Sequence, residues 1–247
     1  MRLIPFLSLT LFAAVASAAP VFEDPATAVP KHDKSGAPDA RFIARHESYV
    51  AIAKKGDVDL LLMGDFLTDD FRGNNKNGVK AMFEKAFSQY KPANFGQGGD
   101  YTQHVLWRLQ NGELEGITPK VMMLMIGGTN GSNGEPGARI AAGVEAIIAF
   151  VKQKSPRTKT LLLSVLPWDA NPGSRRDKHG AVNAHLSALD DGGKTVKYLD
   201  LAGKFLARDG TIPKDLMPDG AHLSEKGYQL WADAVEAPLR EMMRPPY

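Results

Sequence analysis

Short apolar runs, spaced along the chain and separated by polar segments, constrain the fold of this protein more than any other feature. The runs cover residues 58–63, 121–126, 161–166 and 196–199. Runs this short and this apolar predict β-strands that are buried on both faces. Apolar residues also recur at helical spacing between and after the runs, in residues 79–90, 101–110, 140–151 and 224–242. Buried strands that alternate with amphipathic helices predict an α/β domain, in which helices cover both faces of a central parallel sheet.

Parallel strands end at one edge of their sheet, and proteins of this class bind ligands there. The loops after Met63, Ile126 and Leu166 are therefore expected to carry the function. We also expect Pro238 to bend or shorten the last helix, because proline removes a backbone hydrogen bond. Residues 171–180 are predicted to form a polar loop with a solvated basic rim, namely Arg175, Arg176 and Lys178.

Residues 1–18 have the organisation of a signal peptide. Arg2 supplies a positive charge, an apolar stretch follows, and Ala16-Ser17-Ala18 matches a cleavage site of small residues. The apolar stretch is shorter than the ~20 residues that span a bilayer, which disfavours a membrane anchor. Residues 19–40 are rich in Pro and Ala and are predicted to form a flexible N-terminal arm, so that 41–247 form one folded domain. We therefore expect a secreted or periplasmic protein with no integral membrane span after cleavage.

The composition argues against several kinds of function. The chain has no Cys, which excludes disulfides, thiolate metal sites and cysteine nucleophiles. Thirty Lys and Arg against 28 Asp and Glu leave a net charge of +2, which gives no support to nucleic-acid binding. The six His show no metal-ligand spacing beside carboxylates, and the glycine-rich loops lack the endings of nucleotide-binding motifs. The sequence thus predicts neither a metal nor another cofactor, and it leaves homodimerisation open.

Four loops contain residues that are suited to hydrolytic chemistry. They are Gly64-Asp65-Phe66, Gly96-Gln97-Gly98-Gly99-Asp100, Gly127-Gly128-Thr129-Asn130 and Asp219-Gly220-Ala221-His222. Taken singly, each loop also has a structural explanation, since glycine-rich turns commonly serve only to allow a positive φ. The spacing of Asp219 and His222 allows one turn to hold both groups, so that the carboxylate can orient the imidazole as a base.

The order of these four loops resembles the SGNH hydrolase superfamily, the GDSL-like lipases and esterases. The match is longest with its branch of platelet-activating-factor acetylhydrolase catalytic subunits, in residues 94–100 and 103–115. The resemblance spans about residues 58–227 and implies a flavodoxin-like three-layer α/β/α sandwich, the SGNH hydrolase fold. It also implies a family activity, the hydrolysis of acyl esters such as acetyl esters. The expected partner is therefore a small-molecule acyl ester or carbohydrate ligand.

The resemblance also implies a role for particular residues. The backbone N–H of Gly99 and the side-chain amide of Asn130 correspond to the two oxyanion donors of the family. Asp219 and His222 correspond to its catalytic dyad. The nucleophile belongs directly after Gly64-Asp65, where this chain has Phe66. Two further side chains are expected near the pocket, namely Asp65, as a hydrogen-bonding organiser, and Trp168.

Phe66 departs from the family pattern, which has Ser at this position. A benzyl side chain has no lone pair and no proton to give to His222, so it cannot form an acyl intermediate. We therefore expect Phe66 to fill part of the oxyanion site and to impair or abolish the serine mechanism. Thr68 starts from a different backbone position and is a poor substitute, because a displacement of ~1 Å can cost ~100-fold in rate.

Whether the chain is an enzyme is left open by the sequence, and three alternatives follow. The first is a silent hydrolase that keeps a pocket for an acylated or sugar-like ligand. The second is a slow esterase in which His222 activates water or another hydroxyl. The third is a non-catalytic interaction module, which would need an exposed apolar patch.

Overall fold

The computed structural model describes residues 23–73 and 77–244. The predicted signal peptide lies outside these residues, and the division of the chain into signal, arm and domain stays a prediction. The described part of the expected arm lies against the domain, since Thr102 Oγ1 donates to the carbonyl of Pro25 at 3.0 Å. Lys31 Nζ likewise donates to the carbonyls of Gly98 at 3.2 Å and Gly99 at 3.3 Å.

Within the described residues, five parallel strands form one central sheet in the order β2-β1-β3-β4-β5. The strands are β1 (Leu60–Gly64), β2 (Pro92–Asn94), β3 (Val121–Met125), β4 (Lys159–Leu163) and β5 (Val196–Leu199). The register pairs Gly64 with Met125 and Leu62 with Asn94. The carboxyl ends of the central strands therefore meet at one edge, as the sequence predicts.

Eight α-helices connect and cover these strands in the described residues. They are α1 (Ala40–Ala53), α2 (Phe66–Asp69), α3 (Asn77–Phe87), α4 (Thr102–Arg108), α5 (Gly128–Ser132), α6 (Gly137–Lys154), α7 (Ser174–Ser187) and α8 (Glu225–Met242). Short 3₁₀ or irregular helical turns lie between some of them, at Asp70–Arg72, Ser88–Tyr90, Leu109–Glu113 and Ala202–Phe205.

Strand residues alternate between two hydrophobic clusters, one on each face of the sheet. Leu61 and Met63 of β1 pack in a cluster with residues of α1, α4, α6 and α7. Leu60 and Leu62 pack in the other cluster with residues of α2, α3 and α8. All five residues of β1 are buried. The predicted α/β class with a parallel sheet between two helical layers is confirmed.

One expectation about the helices is wrong. Residues 171–180 do not form a continuous loop, because α7 begins at Ser174. Its apolar face buries His179, Val182 and Leu186, and this spacing is helical although the segment is strongly polar. Pro238 lies inside α8, which continues to Met242, so it does not shorten the last helix, and the expected bend stays a prediction.

Two of the three basic residues of the expected rim, Arg175 and Arg176, have protein partners. Arg176 donates to the backbone carbonyls of Trp168, Asp169 and Gly210. Arg175 forms an ion pair with Asp169 at 3.1 Å. These side chains therefore hold the loop after β4 instead of forming a purely solvated rim.

A buried ionic cluster ties the glycine-rich loop after β2 to α4. Arg108 is fully buried, and its Nε donates to Asp100 Oδ2 at 3.0 Å. Its Nη1 donates to Glu113 Oε2 at 2.6 Å, and Glu113 Oε1 lies 2.9 Å from His46 Nδ1. Removing one partner of such a pair leaves a buried charge without compensation, which is far more costly than the pair itself is stabilising.

We predict that Arg108→Met destabilises the protein by ~3–5 kcal/mol, because two buried carboxylates lose their cation. Urea unfolding measures this change. The matched control is Arg240→Met, since Arg240 pairs with Glu236 at 3.7 Å on an exposed surface of α8. That pair is expected to contribute under ~1 kcal/mol. Equal losses in the two variants would contradict the prediction.

Candidate functional site

The loop after β1 brings Asp65 to the edge of the sheet where the strands end. Asp65 is 3% exposed and precedes α2, and its Oδ1 accepts a hydrogen bond from the backbone N–H of Leu67 at 3.3 Å. Its Oδ2 accepts another from the hydroxyl of Thr129 at 3.3 Å. Asp65 therefore connects the loop after β1 to α5, which fits the predicted role of an organiser.

Burial governs the ionisation of Asp65. Desolvation raises its pKa to about 7, although the hydrogen bonds from Leu67 and Thr129 favour the charged form. The folded protein therefore retains this proton at a pH where an exposed carboxyl has already lost it.

Asp219 and His222 form a hydrogen-bonded pair near the C-terminus. Asp219 Oδ2 lies 2.7 Å from His222 Nδ1, and Asp219 Oδ1 accepts from the backbone N–H groups of Ala221 and His222 at 2.9 and 2.7 Å. Partial burial would raise the pKa of Asp219, but these N–H groups and the His222 side chain lower it to about 2. The ionised carboxylate fixes the imidazole through Nδ1 and leaves Nε2 for proton transfer.

Phe66 lies directly against this pair. Its ring centroid is 5.1 Å from that of His222 and 5.6 Å from that of Trp168, and each contact is edge-to-face at 63°. Phe66 Cβ also lies 3.8 Å from the position that a Cβ on Gly98 would occupy. The fold thus brings together three residues that the sequence assigns to the site, and an aromatic ring occupies the space beside the histidine.

Gly99 lies in a tight turn after β2 with φ +73°, which favours glycine. A Cβ at this position would also approach Lys31 Nζ to 2.7 Å. Both carbonyls of the Gly98-Gly99 pair accept hydrogen bonds from Lys31. In the described part of the chain the N–H of Gly99 has no protein acceptor. This free donor is what the predicted oxyanion role requires.

Asn130 is placed differently from Gly99. It is 1% exposed, and its Oδ1 accepts from the backbone N–H of Thr102 at 3.1 Å. Its Nδ2 donates to Gln103 Oε1 at 3.4 Å and to Glu135 Oε2 at 2.9 Å. Donation to a ligand would require this network to rearrange, so the oxyanion role of Asn130 stays a prediction. The side chain of α5 that contacts Asp65 is Thr129 instead.

Thr68 does not offer a hydroxyl to the site. It is 2% exposed, and its Oγ1 lies 2.2 Å from the position that a Cβ on Gly64 would occupy. The hydroxyl therefore points back to the start of the loop and into the core.

Sequence reasoning missed several groups that shape the site, among them Lys31 and Thr129. Lys31 lies in the segment predicted to be a flexible arm, 67 residues before the carbonyl that it binds at Gly98. Sequence reasoning also missed His179. Its Nε2 lies 3.1 Å from Ser132 Oγ, and its Nδ1 lies 3.0 Å from the carbonyl oxygen of Leu166. Because His179 is 1% exposed, this pair serves to hold α5 against α7. Within residues 23–73 and 77–244, no group of three or more His, Asp or Glu is placed to hold a metal ion.

Comparisons with known proteins show the family to which the chain belongs. The sequence profile of the GDSL-like Lipase/Acylhydrolase family matches residues 62–230. Platelet-activating factor acetylhydrolase IB subunit alpha1 of Bos taurus is 34% identical over 222 residues, which cover 90% of this chain and 91% of the relative. Subunit alpha2 of Rattus norvegicus is 34% identical over 205 residues, which cover 83% and 84% of the two chains.

A solved structure shows the same fold at low identity. A GDSL-like lipase from Bacteroides thetaiotaomicron superposes with a TM-score of 0.62 at 17% identity, covering 80% of this chain and 98% of the other. The fold is that of an α/β protein with a parallel sheet between two helical layers. The chain belongs to the GDSL-like lipase/acylhydrolase family, the SGNH hydrolases.

We predict that Asn130→Ala lowers the free energy of unfolding by ~1–3 kcal/mol, because a buried N–H and a buried carboxylate each lose a partner. The matched control is Asn133→Ala in the following turn. Asn133 is exposed and donates to Tyr101 and to the carbonyl of Thr129, so its replacement is expected to change stability by ~0.5 kcal/mol or less. Thermal and urea unfolding compare the two. Similar stability of both variants would contradict the prediction that this network stabilises the fold.

We predict that the contribution of Asp65 to stability falls as pH rises from about 4 to about 7, because the folded state keeps the proton of Asp65 up to a pKa of about 7 whereas the unfolded carboxyl releases it near pH 4. Asp65→Asn removes this contribution and still caps α2, since Asn caps helices about as well as Asp. Unfolding curves at several pH values measure the slope. The exposed Asp233→Asn is the control, and an unchanged slope in Asp65→Asn would contradict the assignment.

Proposed function

We propose that this chain is an exported member of the acylhydrolase family that has lost the acyl-transfer step and retains binding of an acylated or sugar-like ligand. The proposal rests mainly on the position of Phe66. This residue follows Gly64-Asp65, and the centroid of its ring lies 5.1 Å from that of His222. A serine at this position would place a hydroxyl beside the base. The phenyl ring offers no nucleophile and fills that space.

The remaining groups support an acyl ester as the class of ligand. The dyad is hydrogen-bonded at 2.7 Å, and the N–H of Gly99 has no protein acceptor in the described residues. Relatives that cover most of this chain are named as acetylhydrolase subunits. Binding of a carbonyl group by these groups needs no nucleophile. The protein can therefore still bind the ligand after it has lost the ability to hydrolyse it.

Slow hydrolysis without a serine is the second candidate function. His222 is about half exposed and is oriented by an ionised Asp219, so water can reach a base of the required geometry. In serine hydrolases that lack their triad, oxyanion and binding groups alone leave rates of ~10³ over water. This candidate predicts a weak activity that depends on His222.

A third function, that of a non-catalytic interaction module, would need an exposed apolar patch, and the described surface gives little support for one. Ile52, at 39% exposure, is the large hydrophobic residue exposed among those the structure describes. One isolated residue does not make an apolar docking patch.

Export of the protein rests on the sequence of residues 1–18, which lie outside the described residues. Within the described residues, no helix is long and apolar enough to cross a bilayer. Detection of the mature N-terminus after expression with the intact signal would test export directly.

We predict that Phe66→Ser raises hydrolysis of a short-chain aryl acetate at least ~100-fold over the natural chain, because a hydroxyl then lies beside the base. Phe66→Ala is the matched control, since it removes the ring without adding a nucleophile. The double variant Phe66→Ser with His222→Ala should lose the gain. Initial rates at fixed protein concentration measure all four proteins.

Two results would count against this proposal. If Phe66→Ser is no faster than Phe66→Ala, the missing hydroxyl is not what limits the chemistry. If the natural chain already turns over and His222→Ala abolishes that rate, the second candidate replaces the first. Calorimetry of the natural chain with acetylated sugars and short-chain esters tests binding separately, and no binding to any of them would reject retention of the ligand.

A further inference from the structure

A groove lies at the edge of the sheet opposite to the candidate site. Its lining residues come from the starts of β3, β4 and β5 and from the end of α8, and its volume is about 600 Å³. The candidate site is built on the carboxyl ends of the strands, so the two places are separated by the length of the sheet. A volume of this size falls in the range of small-molecule sites, ~300–1,000 Å³.

Five of the twelve residues that line this groove are basic. They are Lys120, Arg157, Lys159, Lys194 and Arg244, and they face one acidic side chain, Asp59. Lys120 Nζ lies 3.0 Å from Asp59 Oδ2. Among the described residues, no carboxylate lies within 4.0 Å of the other four cations. The groove is therefore strongly positive in a chain whose net charge is only +2.

Helix dipoles explain only part of this charge. α6 ends shortly before Arg157 and α8 ends shortly before Arg244, and cations near helix C-termini are favourable. Lys120, Lys159 and Lys194 instead lie at or just before the starts of strands and belong to no helix C-terminus. Like charges that gather in one groove repel each other, and a bound anion would relieve this repulsion.

The chemistry of the lining favours phosphate. Each Arg can form paired hydrogen bonds with phosphate oxygens, and Lys adds point charges around them. Thr118 and Thr195 supply further polar groups to the lining. Pro119 and Pro156 add apolar walls against which a carbon skeleton can pack.

We propose that this groove is a binding site for an anion that carries more than one phosphate charge. The phosphate can belong to a soluble molecule or to the head group of a lipid, since both present the same oxygens. The site is independent of Phe66 and of the dyad, so its test does not depend on whether the chain hydrolyses esters.

The first test is calorimetric titration of the full chain with inorganic tripolyphosphate at low ionic strength. We expect saturable binding that weakens as salt is added, because salt screens exposed charges. The double variant Lys159→Glu with Lys194→Glu should weaken binding at least ~10-fold. Circular dichroism confirms that the variant is folded, and tripolyphosphate should raise the melting temperature of the natural chain and not that of the variant.

The matched control is the double variant Lys34→Glu with Lys152→Glu. Both residues are exposed and lie outside the groove, and the change in net charge is the same as in the groove variant. Unchanged binding in this control supports the groove as the site. An equal loss in both variants would show general charge attraction and would overturn the proposal.

A parallel arm distinguishes the two sources of phosphate. The natural chain and both variants are sedimented with vesicles of phosphatidylglycerol and phosphatidylcholine. Binding to vesicles that is lost only in the groove variant assigns a lipid head group, whereas binding of tripolyphosphate alone assigns a soluble ligand. Binding of neither probe by the natural chain would overturn the proposal.

Discussion

Helices cover both faces of the central sheet, and this double burial decides where functional groups can lie. Because Leu61 and Leu62 point into different hydrophobic clusters, β1 cannot shift its register by one residue without exchanging its two faces. The register with β3 then brings Gly64 level with Met125. The loops that follow these strands meet as a result, and Asp65 can reach Thr129 across them.

A second constraint fixes the glycine-rich loop against this framework. The chain from Gly96 to Asp100 has little side-chain volume of its own, so its shape depends on partners elsewhere. Arg108 holds Asp100, and Tyr49 donates its hydroxyl to the carbonyl of Gly96 at 2.5 Å. Lys31 binds the two carbonyls between these points. The carbonyls are thereby directed to the protein, whereas the N–H of Gly99 has no acceptor among the described residues.

The sequence predicts best what is local or strongly periodic. Predicted and observed bounds of β5 agree, and the pairing of Asp219 with His222 follows from their spacing in one turn. The sequence does not predict β2, because this strand has only three residues and begins with Pro92. It does not predict α7 either, because most of its residues are polar and the few buried ones give only a weak hydrophobic pattern. The partners of Lys31 and Asn130 depend on contacts between distant segments, which no local pattern encodes.

Phe66 shows why family membership and activity have to be argued separately. The core of the protein lies in two clusters on the sheet, whereas Phe66 is only partly buried and packs at the rim against Trp168 and His222. A serine in its place would remove little of the apolar burial that stabilises the fold, yet it would supply the one atom that acyl transfer cannot do without. Exchanging Phe66 and Ser is therefore expected to change the stability of the fold little but to decide whether a nucleophile is present. For this reason we propose that the chain keeps the framework and the loops of a hydrolase, and the pair of Asp219 and His222, while its role shifts from turnover to binding.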